Sequence, residues 1–126
     1  MITQIQPTSF VTVSATASGN TAVWTPVAGK KFRLIGYSIQ ATANVATAGG
    51  AAIDVVFRDG STNMGMGFSF FAPSAAGTTF GGGNGTGWIT LRNGYVSKVA
   101  DNVLNVNLSA ALTAGNIRVN VIGIEE

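Results

Sequence analysis

The stretch Thr21–Gln40, TAVWTPVAGKKFRLIGYSIQ, decides the fold. It reads as a short strand ending at Trp24, a turn through Thr25–Gly29, and a long strand from Lys31 onward. Pro26 fixes its own φ and lacks a backbone N–H, so one continuous central strand cannot run through it. Gly29 supplies the positive φ that a tight turn often needs. Beyond the turn, apolar residues come almost without gap at Phe32, Leu34, Ile35, Tyr37 and Ile39. A strand apolar in both phases is covered on both faces or changes face at a bulge, and Gly36 is the natural bulge point. This strand is therefore expected in the middle of the core.

On its N-terminal side, Phe10–Ala17 alternates, with Val11, Val13, Ala15 and Ala17 on one face and Thr12, Ser14 and Thr16 on the other. That is the period of a half-buried strand. Ser18-Gly19-Asn20 follows as a turn. On the C-terminal side, Gln40–Ala52 is rich in alanine, but Thr42, Val45, Thr47 and the Gly49-Gly50 pair favour a strand end and loop over a helix. Ile53, Val55 and Phe57 alternate inward, and Asp59-Gly60 signals a hairpin.

Met64, Met66, Phe68 and Phe70 then alternate with Gly65, Gly67 and Ser69. The large set suits a core face. The small set leaves a flat strip, read either as a close approach by another backbone or ligand or as a local bulge or tight bend. Pro73–Gly87 is a long loop, and loops of this length are usually functional or disordered. Trp88–Leu91 reads as a short strand, with Asn93-Gly94 as a hairpin turn returning through Tyr95–Val99. Asp101-Asn102 turns the chain again. Leu104, Val106 and Leu108 face in while Asn105 and Asn107 face out. Ile117, Val119 and Val121 close the sheet, and Ile122 and Ile124 are expected to break the phase around Gly123. The pattern predicts an all-β, single-domain, jelly-roll-like β-sandwich of about eight antiparallel strands, with another sandwich topology as the alternative. The expected division is an extended N-terminal arm over 1–9 and the sandwich over 10–126.

The order of a strand, W-T-P-x-x-G-K-K, F-R-L-x-G, short strands with Gly-rich loops, and a terminal L-N-V-N-L-S resembles a loose group of small tailed-bacteriophage virion proteins. The likeness runs from Thr21 to the C-terminus. Those proteins are mostly jelly-roll modules, and several sit on the capsid as decoration (cement) proteins. The resemblance implies a structural protein on the outer capsid surface, bound to the major capsid protein. It brings no catalytic residue with it.

Composition fits that expectation. The chain has 126 residues, enough for one domain with a core of its own. Only 10 % of the residues are charged, against about 25 % in ordinary domains. A surface made of Thr, Ser, Asn and Gly suits a protein partly covered in an assembly, and the capsid three-fold positions that the resemblance implies lead to the expectation of a homotrimer. The formal net charge is +2, and among the basic residues only Lys30, Lys31 and Arg33 cluster. A nucleic-acid binder shows a basic stripe with interleaved aromatics, so no nucleic-acid partner is expected. No apolar run approaches the ~18 residues of a membrane span, so no membrane partner is expected either. Met1–Gln4 lacks the basic and apolar regions of a secretory signal, which points to synthesis in a cytoplasm; the resemblance implies a bacterial host and residence in the virion.

Chemistry is limited by inventory. With no Cys and no His, disulfides, zinc–thiolate sites and the commonest general base are absent. Asp54, Asp59, Asp101, Glu125 and Glu126 are the carboxylates; paired-carboxylate chemistry needs two of them across one cleft, for which Asp54 with Asp101 is the remaining alternative. Ser97 and Lys98 are adjacent on a strand and point to opposite faces, so they form no dyad. The glycine run ending at Gly87 lacks the G-K-[ST] ending of a phosphate loop, and a strand follows it, not a helix. Asp59–Asn63 resembles half of a calcium loop, but Met64 and Phe70 stand where Gly and Glu are needed. No enzyme activity, metal or cofactor is expected. Trp24, Phe32, Phe57, Phe68 and Phe70 are read as core, whereas Phe71, Phe80 and Trp88 lie beside the long loop. The candidate interface residues are Ile2, Ile5 and Pro7 on the arm, Gly65, Gly67 and Ser69 on the strip, and Phe80 and Trp88. The rival function is a receptor- or carbohydrate-binding head module of a phage tail, with a glycan as partner.

Overall fold

The strand after Pro26 lies at the centre of one sheet. A computed structural model of the protein describes residues 6–42, 52–71, 84–112 and 116–126. Within them the regular structure is β throughout: β1 (Ser9–Ala15), β2 (Gly19–Trp24), β3 (Phe32–Thr42), β4 (Ala52–Asp59), β5 (Thr62–Phe71), β6 (Asn84–Gly85), β7 (Ile89–Val96), β8 (Leu104–Leu108) and β9 (Asn116–Glu125). One sheet has the order β1-β9-β3, with β7 and the two-residue β6 both pairing with the far side of β3. The other has the order β2-β8-β4-β5. Every pairing is antiparallel.

With β6 set aside, eight strands form two four-stranded sheets in jelly-roll order. The chain doubles back at the Gly60-Ser61 turn, where Asp59 faces Thr62. From that turn outward, the pairs β4/β5, β3/β7, β2/β8 and β1/β9 alternate between the two sheets. The Asp-Gly hairpin signal is thus the point about which the doubled chain is wrapped.

The side-chain phases explain why β3 carries so many apolar residues. Phe32 and Leu34 face the core, the register shifts between Leu34 and Gly36 against both neighbours, and Tyr37, Ile39 and Ala41 then face the core. The bulge absorbs one residue and switches the inward phase from even to odd numbers. Ile35, left over at the bulge, is buried outside the main cluster. Fully buried Ile53, Val55 and Phe57 from β4, Leu104 and Val106 from β8, and Ile117 and Val119 from β9 fill the space between the sheets. Each side chain of this kind contributes about 1.5–3 kcal/mol by leaving water.

Aromatic rings link the two layers. Tyr37 of one sheet meets Phe57 of the other edge-on, with centroids 4.8 Å apart, and Trp24 meets Phe32 at 5.8 Å. Trp24, Phe32 and Phe57 are core, as their phases predict. Phe68 packs against the core from the side, and the Phe70 and Phe71 side chains lie outside the described residues.

Three expectations need correction. Asn93-Gly94 does not make a hairpin. Ile89–Val96 is one strand, and both of its halves pair with β3 around a wide excursion at Leu91–Gly94. Gly94 takes a φ of 76° there, which a glycine adopts at little cost and most other residues do not. Ile122 and Ile124 do not break the phase of β9. The ladder with β1 is regular, and Gly123 simply occupies an inward position where the Trp24 ring takes the side-chain space. A Cβ at Gly123 would stand 2.7 Å from that ring and overlap the Arg33 carbonyl oxygen. Finally, the long loop from Pro73 to Gly87 contains β6, which pairs with Gln40 and Ala41. The expected loop over 43–51 lies outside the described residues.

Candidate interaction surface

The strip read from the sequence exists as a surface feature. Gly65, Gly67 and Ser69 lie on the outward side of β5, at the edge of its sheet. With Asp54, Val56 and Asn63 they line a shallow, open depression of about 300 Å³. The Asp54 carboxylate accepts a hydrogen bond from the Ser69 hydroxyl. The Asn63 side-chain oxygen accepts from the Gly65 N–H at 2.7 Å. The ladder with β4 shifts between Val56 and Arg58, so three β5 residues, Met64–Met66, stand opposite Phe57 alone. The bulge reading of the strip is met here, and the strip leaves bare backbone. At Gly67 the bareness is obligatory, since a Cβ would overlap the carbonyl oxygen of Val55.

The other candidates fall elsewhere. Trp88 is 60 % exposed just before β7, on the opposite sheet from the strip. Pro7 is half-buried at the entry to β1, and the Thr8 N–H donates to the Gly123 carbonyl at 2.9 Å. Ser9, placed in the arm by its sequence, is the first residue of β1 and pairs with Gly123. Ile2, Ile5 and Phe80 lie outside the described residues. The structure thus brings Gly65, Gly67 and Ser69 together with Asp54, and keeps Trp88 and Pro7 apart from them.

The outer face of the β1-β9-β3 sheet carries a second feature that sequence reasoning passed over. Phe10 is 69 % exposed and pairs in register with Ile122. In the next row, the Thr12 hydroxyl donates to the Asn120 side-chain oxygen at 2.8 Å, and the Asn120 amide donates to the Ser38 hydroxyl at 3.1 Å. The outward phase of β1 could have signalled Phe10, because Phe10, Thr12 and Ser14 share it.

The carboxylates are occupied by the fold. Asp59 is only 2 % exposed. It accepts from the Tyr95 hydroxyl at 2.9 Å, the Lys98 N–H at 2.9 Å and the Asn102 amide at 2.8 Å. Burial, then the hydrogen bond to Asp59 and the nearby negative charge, push the Tyr95 phenol up to about 12. Burial also raises the Tyr37 phenol. Asp101, with a φ of 70°, accepts the Gly29 N–H at 2.6 Å, and its own N–H donates to the Lys30 carbonyl at 2.8 Å. Glu125 accepts from the Trp24 indole at 3.0 Å, and Glu126 pairs with Arg33 at 2.8 Å.

These contacts tie together one end of the sandwich, where the 25–31 and 97–103 connections meet the C-terminal residues. Val27 and Val99, 64 % and 58 % exposed, project from those two connections. Asp54 is far from this end, beside Ser69 and Ser109, so it does not meet Asp101. Ser97 is buried with its hydroxyl on the Val99 carbonyl, while Lys98 is exposed. Among the described residues no three acidic side chains gather to hold a metal ion. No protein-family model matches the chain, and no curated protein matches it.

Proposed function

We propose that the protein is a non-enzymatic structural protein of a tailed-bacteriophage virion, a capsid decoration (cement) protein that binds the outer capsid surface and stabilises it. One observation carries the reading. In a charge-poor jelly roll, all five carboxylates of the chain accept hydrogen bonds from its own groups, four of them at the tied end. Such a molecule acts through its surfaces. The resemblance of the chain from Thr21 onward to small virion proteins gives the kind of assembly, and a closed homotrimer suits the three-fold positions of a capsid. The partner is the major capsid protein. Mixing purified protein with capsids that lack it and sedimenting them is the test: saturable co-sedimentation supports the reading, and its absence under all salt conditions refutes it.

A second reading has its own observation. The depression at Gly65, Gly67 and Ser69 offers a carboxylate, a hydroxyl and an amide over bare backbone, which suits a hydroxyl-rich ligand. It would make the protein a receptor- or carbohydrate-binding head module of a phage tail. Binding on a glycan array, lost in Asp54→Ala, would favour this reading over the first.

A further inference from the structure

The chain holds two Asn-Gly pairs, Asn84-Gly85 and Asn93-Gly94, while every other asparagine precedes Thr, Val, Met, Leu or Ile. Glycine after asparagine leaves the following amide nitrogen unshielded, free to approach the side-chain carbonyl carbon. The fold puts the two pairs in different settings. Asn84 and Gly85 are laddered to Ala41 and Gln40, and the Gly85 backbone lies so close to β3 that a Cβ would overlap the Ile39 carbonyl oxygen. Asn93 is exposed on the β7 excursion. Thr90 pairs with Gly36 and Tyr95 with Leu34, but Leu91–Gly94 have no ladder partner on β3, and the segment is held there by the Arg33 side chain and by the approach of Gly94 to the Leu34 carbonyl. Forming a five-membered ring needs a local change of backbone dihedrals, and backbone outside a ladder makes that change at lower cost.

We propose that Asn93 is a site of spontaneous covalent modification in the folded protein, deamidating through a succinimide in preference to Asn84. The Gly94 amide nitrogen gives its proton to solvent hydroxide and attacks Cγ of Asn93. The N–Cγ bond forms, the Cγ–Nδ2 bond breaks, and ammonia leaves with a proton from water. One water molecule then opens the ring at either carbonyl, giving aspartate or isoaspartate. No oxidant, metal or second protein takes part. The product carries a new carboxylate on the segment that Arg33 grips, since Arg33 Nη1 donates to the Asn93 carbonyl at 2.6 Å. It lowers the formal net charge of +2 by one and gives Arg33 an acidic neighbour besides Glu126.

The test compares the two pairs within one molecule. The full chain is held in mildly alkaline buffer, folded in one sample and unfolded in urea in the other. Trypsin cuts after Arg58, Arg92 and Lys98, so Asn84 and Asn93 fall on different peptides and their conversion is read by mass. In urea the two should react at similar rates. In the folded protein Asn93 should convert several-fold or more faster than Asn84. An acidic band on isoelectric focusing should grow with Asn93 conversion and be missing from Asn93→Gln. Folded-state protection of Asn93 equal to that of Asn84, equal rapid conversion of both, or an unchanged acidic band in Asn93→Gln would each overturn the proposal.

Discussion

The Asp59 carboxylate accepts the Tyr95 hydroxyl at 2.9 Å and so joins the end of β4 in one sheet to β7 in the other. Two further donors, the Lys98 N–H and the Asn102 amide, meet the same carboxylate. A buried charge is tolerated when hydrogen bonds replace the water it has lost. The three bonds fix the start of the 97–103 connection, whose Asp101 in turn holds Gly29.

Asp59→Ala should leave three donors without their acceptor. A loss of about 2–4 kcal/mol is expected, because stranding buried polar groups costs more than the mean worth of a hydrogen bond. Urea denaturation measures it. Asp54→Ala, at an exposed carboxylate, should cost far less, and equal losses in the two variants would refute the clamp.

The phenol of Tyr95 sets an alkaline limit. Its folded pKa of about 12 lies above the ordinary 10.0. The neutral phenol is thus favoured in the folded state, and its contribution is fully present below about pH 10. It is lost as pH rises from the unfolded value through the folded one. Tyr95→Phe should be less stable than the parent at neutral pH, because Asp59 loses a donor. The gap should narrow between about pH 10 and 12, since the variant has no phenol there to ionise. Denaturation series across that range decide the point, and a gap that widens contradicts it.

Gly123→Ala tests the contact that fits Trp24 into the core. The added methyl group would meet the ring and the Arg33 carbonyl, and an overpacked site of this kind costs about 1–3 kcal/mol. The indole bond to Glu125 should be disturbed with it. A shift in tryptophan fluorescence together with a lower melting temperature is expected; parent-like values of both would mean that the site relaxes freely.

Much of this architecture was legible in the sequence, because a strand period of two, the Asp59-Gly60 turn and the Gly36 bulge are local signals. The inward sets at Ile53–Phe57, Leu104–Leu108 and Ile117–Val121 follow from alternation alone. The errors came from signals whose meaning depends on distant partners. Asn93-Gly94 has hairpin chemistry, but both flanks of it found the same neighbour, β3. Gly123 looked like a break because the Trp24 ring that fills its space is remote in sequence. Asp59 looked like a simple turn residue, since nothing near it in the chain announces Tyr95 or Asn102. The strip at Gly65, Gly67 and Ser69 was visible as a pattern, whereas its neighbour Asp54 required the β4–β5 register.

Self-association should match the expected homotrimer. Light scattering at micromolar concentration should give three times the chain mass, and a monomer there would refute it. Deleting residues 2–8 removes the Thr8 bond to Gly123 but none of the β1 ladder. The melting temperature should therefore change little while oligomer or capsid binding weakens. A large fall in melting temperature with normal binding would show that the arm serves its own subunit.

The most direct test of the proposed role is the position of the protein on virions, read by electron microscopy with labelled antibody. A capsid decoration protein should be labelled over the whole capsid shell, with none on the tail. Label confined to the tail, or no label on intact virions, would contradict the account.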